Sequence, residues 1–231
     1  MKIKYFLLIG VMVLLGCPAP AQEAQTIKIN QATDVAEFFG ESRWLFPAFE
    51  SGTVFLRQSR TQATLNYDLL TEQVFFIDAK KDTLALQNAK DVVIIQVGKR
   101  YFKYYNKALV EVMHRRGLNE LWMRRQIKKT DTQKTGAYGL PSATSAVTNI
   151  NAIDGGDRFR EINVTEWAKY IRRVTFYLTD EAGKTRVANK SGFAKAFPKK
   201  KKQIETYLKT QPVNVENLTD LKRLFDFCVN E

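Results

Sequence analysis

DVVIIQVGKRYFKY, running from Asp91 to Tyr104, is the stretch on which the fold turns. Two runs rich in β-branched and aromatic residues flank Gly98-Lys99, a two-residue spacer of the kind that closes a β-hairpin. In the second run Phe102 and Tyr104 alternate against Tyr101 and Lys103, so one face is expected to meet a core and the other water. Val92–Ile95 is apolar on both faces, which predicts a central strand.

Working outward, the period of two holds from Thr53 to about Gln126. It runs through Thr53–Gln58, Gln62–Tyr67, Gln73–Asp78, Asp82–Leu86, Leu109–His114 and Glu120–Arg124. With the central pair this makes roughly eight short strands, and connections this short require antiparallel neighbours. Beyond Thr130 the rhythm stops, and the Thr, Ser, Ala, Asn and Gly-rich stretch to Gly156 reads as a loop. Arg158–Asn163, Val174–Leu178 and Thr185–Ala188 look like further strands. Helical signals follow. Ser191 is a candidate cap, Pro198 suits a first helical position, and Ile204, Tyr207 and Leu208 form an i, i+3, i+4 stripe. Asn217 with Asp220 resembles a capping pair before the apolar face Leu218, Leu221, Leu224, Phe225 and Cys228. The predicted class is α+β, mainly β: an antiparallel up-and-down β-meander, as a small barrel or a folded sheet, followed by a C-terminal helical hairpin. The expected organisation is a signal peptide over 1–21, a β-meander domain over 22–129, and a long loop or linker over 130–156. Strands and helices packed on or next to the meander follow over 157–231.

The N-terminal assignment rests on Lys2 and Lys4 ahead of the uncharged stretch from Tyr5 to Gly16. Twelve helical residues give about 18 Å, too short for a bilayer core of about 30 Å, and the flanks suit a secretion signal. Two processing routes are open. Ala19-Pro20-Ala21 offers small residues for cleavage before Gln22, whereas Leu14-Leu15-Gly16-Cys17 resembles a lipobox that would lipidate Cys17. Either way the chain is expected in the periplasm or at an outer membrane.

About 210 residues follow the leader, enough for one medium domain. Removing Lys2 and Lys4 from a net charge of +12 leaves +10. Such a surface favours anionic neighbours, and after export these are envelope polymers and headgroups rather than nucleic acid. Cys228 is then the one thiol apart from Cys17 and has no partner for an internal disulfide. It reads as a small buried hydrophobe.

Few chemistries are signalled. His114 is the one histidine, which argues against a multi-histidine metal site or a His-assisted nucleophile, and it reads as a surface residue. There is no glycine-rich phosphate loop before a helix and no G-x-S-x-G elbow. Asp154 and Asp157 flank two glycines without the spacing of a calcium loop. No catalytic residue, metal site or cofactor is assigned. Lys199, Lys200, Lys201 and Lys202 form the densest charge run and oppose the dipole of the helix they open. They are a candidate anionic contact, with a solvated helix face as the competing reading. Arg115-Arg116, Arg124-Arg125, Lys128-Lys129 and Arg172-Arg173 would extend that contact if they shared a face. Tyr101, Tyr104 and Tyr105 could stack on sugars or bases or simply fill a core. Asp82-Thr83-Leu84 matches a short O-glycosylation pattern of Bacteroidetes.

The stretch GTVFLRQ…LNYDLLTEQVFFID…DTLAL, from Gly52 to Leu86, resembles a pattern in secreted Bacteroidetes proteins of unknown function. There an LNYNLLT-like box leads into an F-I-D strand. Here Asp68 stands where that pattern has Asn. The tail around Ala196-Phe197-Pro198-Lys199-Lys200 resembles theirs as well. The resemblance implies export and a β-meander followed by helices, and carries no activity. In the box itself, Asn66 and Asp68 can shape a turn, while Leu65, Leu69 and Leu70 fill the core. The expected function is a non-enzymatic binding or scaffolding module of the envelope, contacting another envelope protein or an anionic polymer. Membrane contact is expected through lipidation or association. A hydrolase working through acidic residues and a carrier of a small hydrophobic ligand are the alternatives.

Overall fold

The computed structural model describes residues 24–29, 34–87, 89–135, 141–142 and 166–230. The leader, Cys17, Tyr138, Asp154, Asp157 and the strand expected over Arg158–Asn163 lie outside them. The chain enters with β1 (Ala24–Ile29) and α1 (Val35–Phe39), whose cap is the Asp34 carboxylate accepting from the N–H groups of Ala36 and Glu37. Hairpins then link β2 (Glu50–Leu56), β3 (Arg60–Asp68), β4 (Gln73–Ile77) and β5 (Thr83–Ala85). A second series comprises β6 (Val92–Val97), β7 (Arg100–Tyr105), β8 (Ala108–Arg116) and the long β9 (Asn119–Thr135). After β10 (Pro141–Ser142) come β11 (Glu166–Thr179) and β12 (Thr185–Val187), then α2 (Lys190–Ala196), α3 (Lys201–Thr210) and α4 (Leu218–Val229).

All the strands join one 12-stranded antiparallel sheet, ordered β1-β11-β9-β8-β7-β6-β2-β3-β4-β5, with β10 beside β9 and β12 beside β11. The Asp91–Tyr104 hairpin lies mid-sheet, closed by Gly98 at φ +57° with Val97 opposite Arg100. Glycine meets no Cβ penalty in that left-handed region. The next hairpin turns on Asn106 and Lys107, both at positive φ, as a two-residue primed turn requires. Two connections depart from a simple meander: β1 lies beside β11 rather than β2, and β6 returns to the free edge of β2 rather than to β5.

The sheet folds over without closing. Past Met123, β8 diverges from β9, and the end of β3 takes its place: the Ile127 N–H donates to the Leu69 carbonyl at 2.7 Å. Glu72, in the turn after β3 and at φ +56°, grips Arg124 of β9 through two bonds of 2.7 and 2.6 Å. Single links of this kind replace a barrel's continuous ladder.

The box at 65–71 is the clamp of this half. Asn66 is 1% exposed. Its amide oxygen accepts from the N–H groups of Phe46 and Tyr67, and its Nδ2 donates to the carbonyls of Phe46 and Ala48. Asp68, fully buried, accepts from Leu70 N–H and Thr71 Oγ1 and pairs with Arg43. The WLFPAF loop is thereby fixed on the core, with Phe46 edge-on to Phe102.

Two cores result. One, around Phe39, Phe46, Leu65, Tyr67, Ile95 and Phe102, lies within the folded half of the sheet. The other joins Leu121 and Met123 of β9 and Phe176 and Leu178 of β11 to Phe193, Ile204, Leu221, Leu224, Phe225 and Cys228 of the helices. Strands β9 and β11 serve both, which explains their length. The loop expected from Thr130 therefore begins later, because β11 keeps pairing with β9 as far as Lys134. A register shift between Lys169 and Tyr170 absorbs one extra residue there. The cap of α2 is Asn189 rather than Ser191: its side-chain Oδ1 accepts from Gly192 N–H at 2.8 Å. A Cβ on Gly192 would lie 2.0 Å from the Val187 carbonyl oxygen, so only glycine lets α2 start against β12. His114 is not a free surface residue. Its Nε2 meets Asp226 of α4 at 2.8 Å and its ring lies edge-on to Phe225, so it docks the last helix on β8.

Candidate functional site

Strand alternation sorts the arginine doublets of β9 and β11 to opposite faces. Arg125, on the inner face, bonds Glu111 at 2.5 Å, and Arg172 reaches the Ser42 carbonyl. Glu111 also takes two bonds from Arg100 at 2.7 and 2.9 Å, and that guanidinium stacks on Phe46 at 4.6 Å. Burial pushes the Glu111 carboxyl up, but the hydrogen bonds and charges of Arg100 and Arg125 outweigh it and hold it below the ordinary carboxylate range. The space beside this cluster, between Tyr67, Phe102, Leu109 and Met123, measures about 10 Å³. That is room for about one water.

The outer face is different. Cross-strand pairing sets Arg124 beside Thr175, Gln126 beside Arg173 and Lys128 beside Ile171. With the β3–β4 turn on one side and Val187 of β12 on the other, they border a cleft of about 590 Å³. Arg124, Lys128, Lys129 and Arg173 line it, against a single carboxylate, Glu72. Glu72 is spent on Arg124, whose proton affinity it raises further. Among the described residues Lys128, Lys129 and Arg173 have no carboxylate partner. Tyr177 closes one end of the cleft, its ring 5.2 Å from Tyr105, which in turn packs edge-on to Trp122. Beside them Glu120 is buried and accepts from Lys103 Nζ and Trp122 Nε1, so this aromatic platform is held rigid.

The lysine run lies elsewhere. Lys199 and Lys200 fall in the 3-10 turn before α3, and Lys201 and Lys202 begin that helix, which has no side-chain cap. Lys200 donates to the Asn230 carbonyl, so it caps the C-terminal end of α4, where a cation is favoured. Lys199, Lys201 and Lys202 stay exposed. These helices cover the inner face of β9 and β11, so the run and the cleft do not merge into one patch. Tyr104 is an inner-face core residue, its hydroxyl pushed up to about 12 by burial. Tyr101 is exposed and Tyr105 joins the platform. Cys228 is 2% exposed and burial pushes its thiol up to about 12. Among the described residues no group of three or more His, Cys, Asp or Glu is arranged to hold a metal, and no helix is long and apolar enough to cross a membrane.

Sequence reading named the doublets but not the cleft. The signal was present in Arg124, Gln126 and Lys128, which share a face by period two once β9 is known to continue past Arg124. Glu72 and Tyr177 come from distant parts of the chain and carry no local signal. No known protein family, curated protein or solved structure matches this chain.

Proposed function

We propose that this chain is an exported cell-envelope protein that works as a non-enzymatic binding module, holding an anionic envelope component in the cleft on the outer face of β9 and β11. One observation carries the reading: among the described residues, three cations of the cleft have no carboxylate partner, and the one acid lining it is already spent on Arg124. Unpaired cations lining a concave surface concentrate field and attract anions. The hydrolase alternative asks for two facing carboxylates in a pocket. Glu111 beside the interior space and Glu72 in the cleft each stand alone and each is bonded to arginine. The carrier alternative asks for a dry cavity, whereas the space beside Glu111 has room for about one water and is polar at one wall.

The test is binding of a soluble acidic polysaccharide, polygalacturonate, by the purified protein over a range of salt. Joint replacement Lys128→Ala, Lys129→Ala and Arg173→Ala is expected to weaken binding and flatten its salt dependence. Lys199→Ala, Lys201→Ala and Lys202→Ala together are expected to do little. The reverse ranking would move the site to the helices.

A further inference from the structure

Resting on the reading of the cleft as an anion site, we infer that its ligand is the phosphate of lipid headgroups, and that the cleft is the face the protein lays on an anionic membrane surface.

The placement of β1 carries this. Ala24 pairs with Ile171, and Ile171 pairs on its other side with Lys128. Ala24, Ile171 and Lys128 therefore stand in line across three strands, and at about 4.8 Å per strand the first is about 10 Å from the last. Because β1 runs antiparallel to β11, its N-terminal end at Ala24 is directed toward Arg173, two residues beyond Ile171. On β11 the neighbour strand β1 stops at Ile171 and β12 starts at Tyr177. Arg173 and Thr175 of the cleft fall on the intervening edge of β11, next to the N-terminal end of β1.

A tether leading into β1 would thus meet the sheet at the rim of this cationic cleft. Six residues lie between Cys17 and Ala24, so a fully extended chain joining them would reach at most about 25 Å. An anchor at Cys17 would keep the cleft near the bilayer, where attraction to anionic lipids acts within about a Debye length. The lysines of α3 lie across the sheet from the cleft, so the two basic regions cannot face one surface together. Val187, 47% exposed at the cleft wall, adds an apolar edge suited to the headgroup boundary.

The experiment is a lysine-acetylation footprint of the protein purified with its native N-terminus, read by mass spectrometry. Four probes are compared: phosphatidylcholine vesicles, vesicles containing phosphatidylglycerol, millimolar inorganic phosphate, and polygalacturonate. Lys128 and Lys129 are expected to be protected by the anionic vesicles and released by high salt. Lys99 and Lys209, both exposed, should label equally throughout. At about fivefold per cation near the surface, the variant lacking Lys128, Lys129 and Arg173 should lose roughly a hundredfold in its preference for anionic over neutral vesicles. Protection by polygalacturonate but not by vesicles overturns the membrane assignment and leaves the anion site standing. Protection by inorganic phosphate without vesicles overturns it in favour of a soluble phosphate ligand. Protection by none of them removes both readings.

Discussion

Replacing Asn66 with alanine tests the central structural claim, that the 65–71 box is a clamp for the WLFPAF loop. Asn66 makes four hydrogen bonds to main-chain atoms while 1% exposed. Alanine strands the N–H and carbonyl of Phe46, both in buried bonds, at about 1–3 kcal/mol each. The bond to Ala48 adds about 0.5–1.5 kcal/mol. Some relaxation of the loop toward water trims the total, so the expected loss is about 3–5 kcal/mol. Urea denaturation followed by tryptophan fluorescence reads it: with a slope of about 2 kcal/mol/M, the midpoint should fall by about 1.5–2.5 M. Thr64→Ala, at an exposed position of the same strand, should stay within about 0.5 kcal/mol. Asn66→Asp keeps the acceptor but points a charge at two carbonyls. Its carboxyl would be pushed up in the folded state, so that variant should regain stability as pH falls. A loss below about 1 kcal/mol for Asn66→Ala, or an equal loss for Thr64→Ala, would refute the clamp.

Glu111→Gln should cost about 1–3 kcal/mol by leaving the partly hydrated Arg100 and Arg125 without their carboxylate, measured by thermal and urea unfolding. Because the folded Glu111 carboxyl titrates below its unfolded value, its contribution is complete above the ordinary carboxylate range and is lost as pH falls through the folded value. Acidification should therefore destabilise the parent more steeply than Glu111→Gln, and parallel curves would contradict the assignment. Asp226→Asn weakens the docking of α4 on His114 and Arg116. Burial pushes that carboxyl up, yet the two hydrogen bonds hold it below its usual value. At this half-exposed site the expected cost is about 1 kcal/mol, with faster amide exchange in α4 as the sharper readout. Cys228 should resist iodoacetamide at pH 8 until the protein unfolds, and rapid labelling of the native state would show that α4 is not seated as described. Gly192→Ala should cost more than about 2 kcal/mol, since the new methyl meets main chain rather than a movable side chain; a neutral result in thermal unfolding would contradict that contact.

Much of the β-architecture was legible because hairpins are local. Gly98-Lys99 closed where the spacing placed it, and the run at Val92 became a mid-sheet strand. Apolar on both faces did not mean buried on both, however: Val93 is 54% exposed, since the outer face there has no covering layer. The box at 65–71 read as a turn with core plugs, and Asp68 does bond Leu70 and Thr71 locally. Its longer reach to Arg43, and that of Asn66 to Phe46 and Ala48, left no trace in spacing. The last helix and its cap Asn217 were legible. Asp220, however, turns to the Asn214 N–H at 2.9 Å instead of completing the pair.

The sequence alone determined the alternation, the tight turns and the apolar helix faces, because each depends on residues within a few positions of one another. It also determined an excess of positive charge, but not where that charge would gather. Only the tertiary structure decided that β6 returns to β2, that β9 and β11 run on to serve two cores, and that His114 holds α4. The same pairing split each arginine doublet between the inner and outer faces and assembled the cleft from β9, β11, β12 and the turn at Glu72. Those outcomes depend on register between strands far apart in the chain, and a one-residue slip would send every one of these side chains to the opposite face.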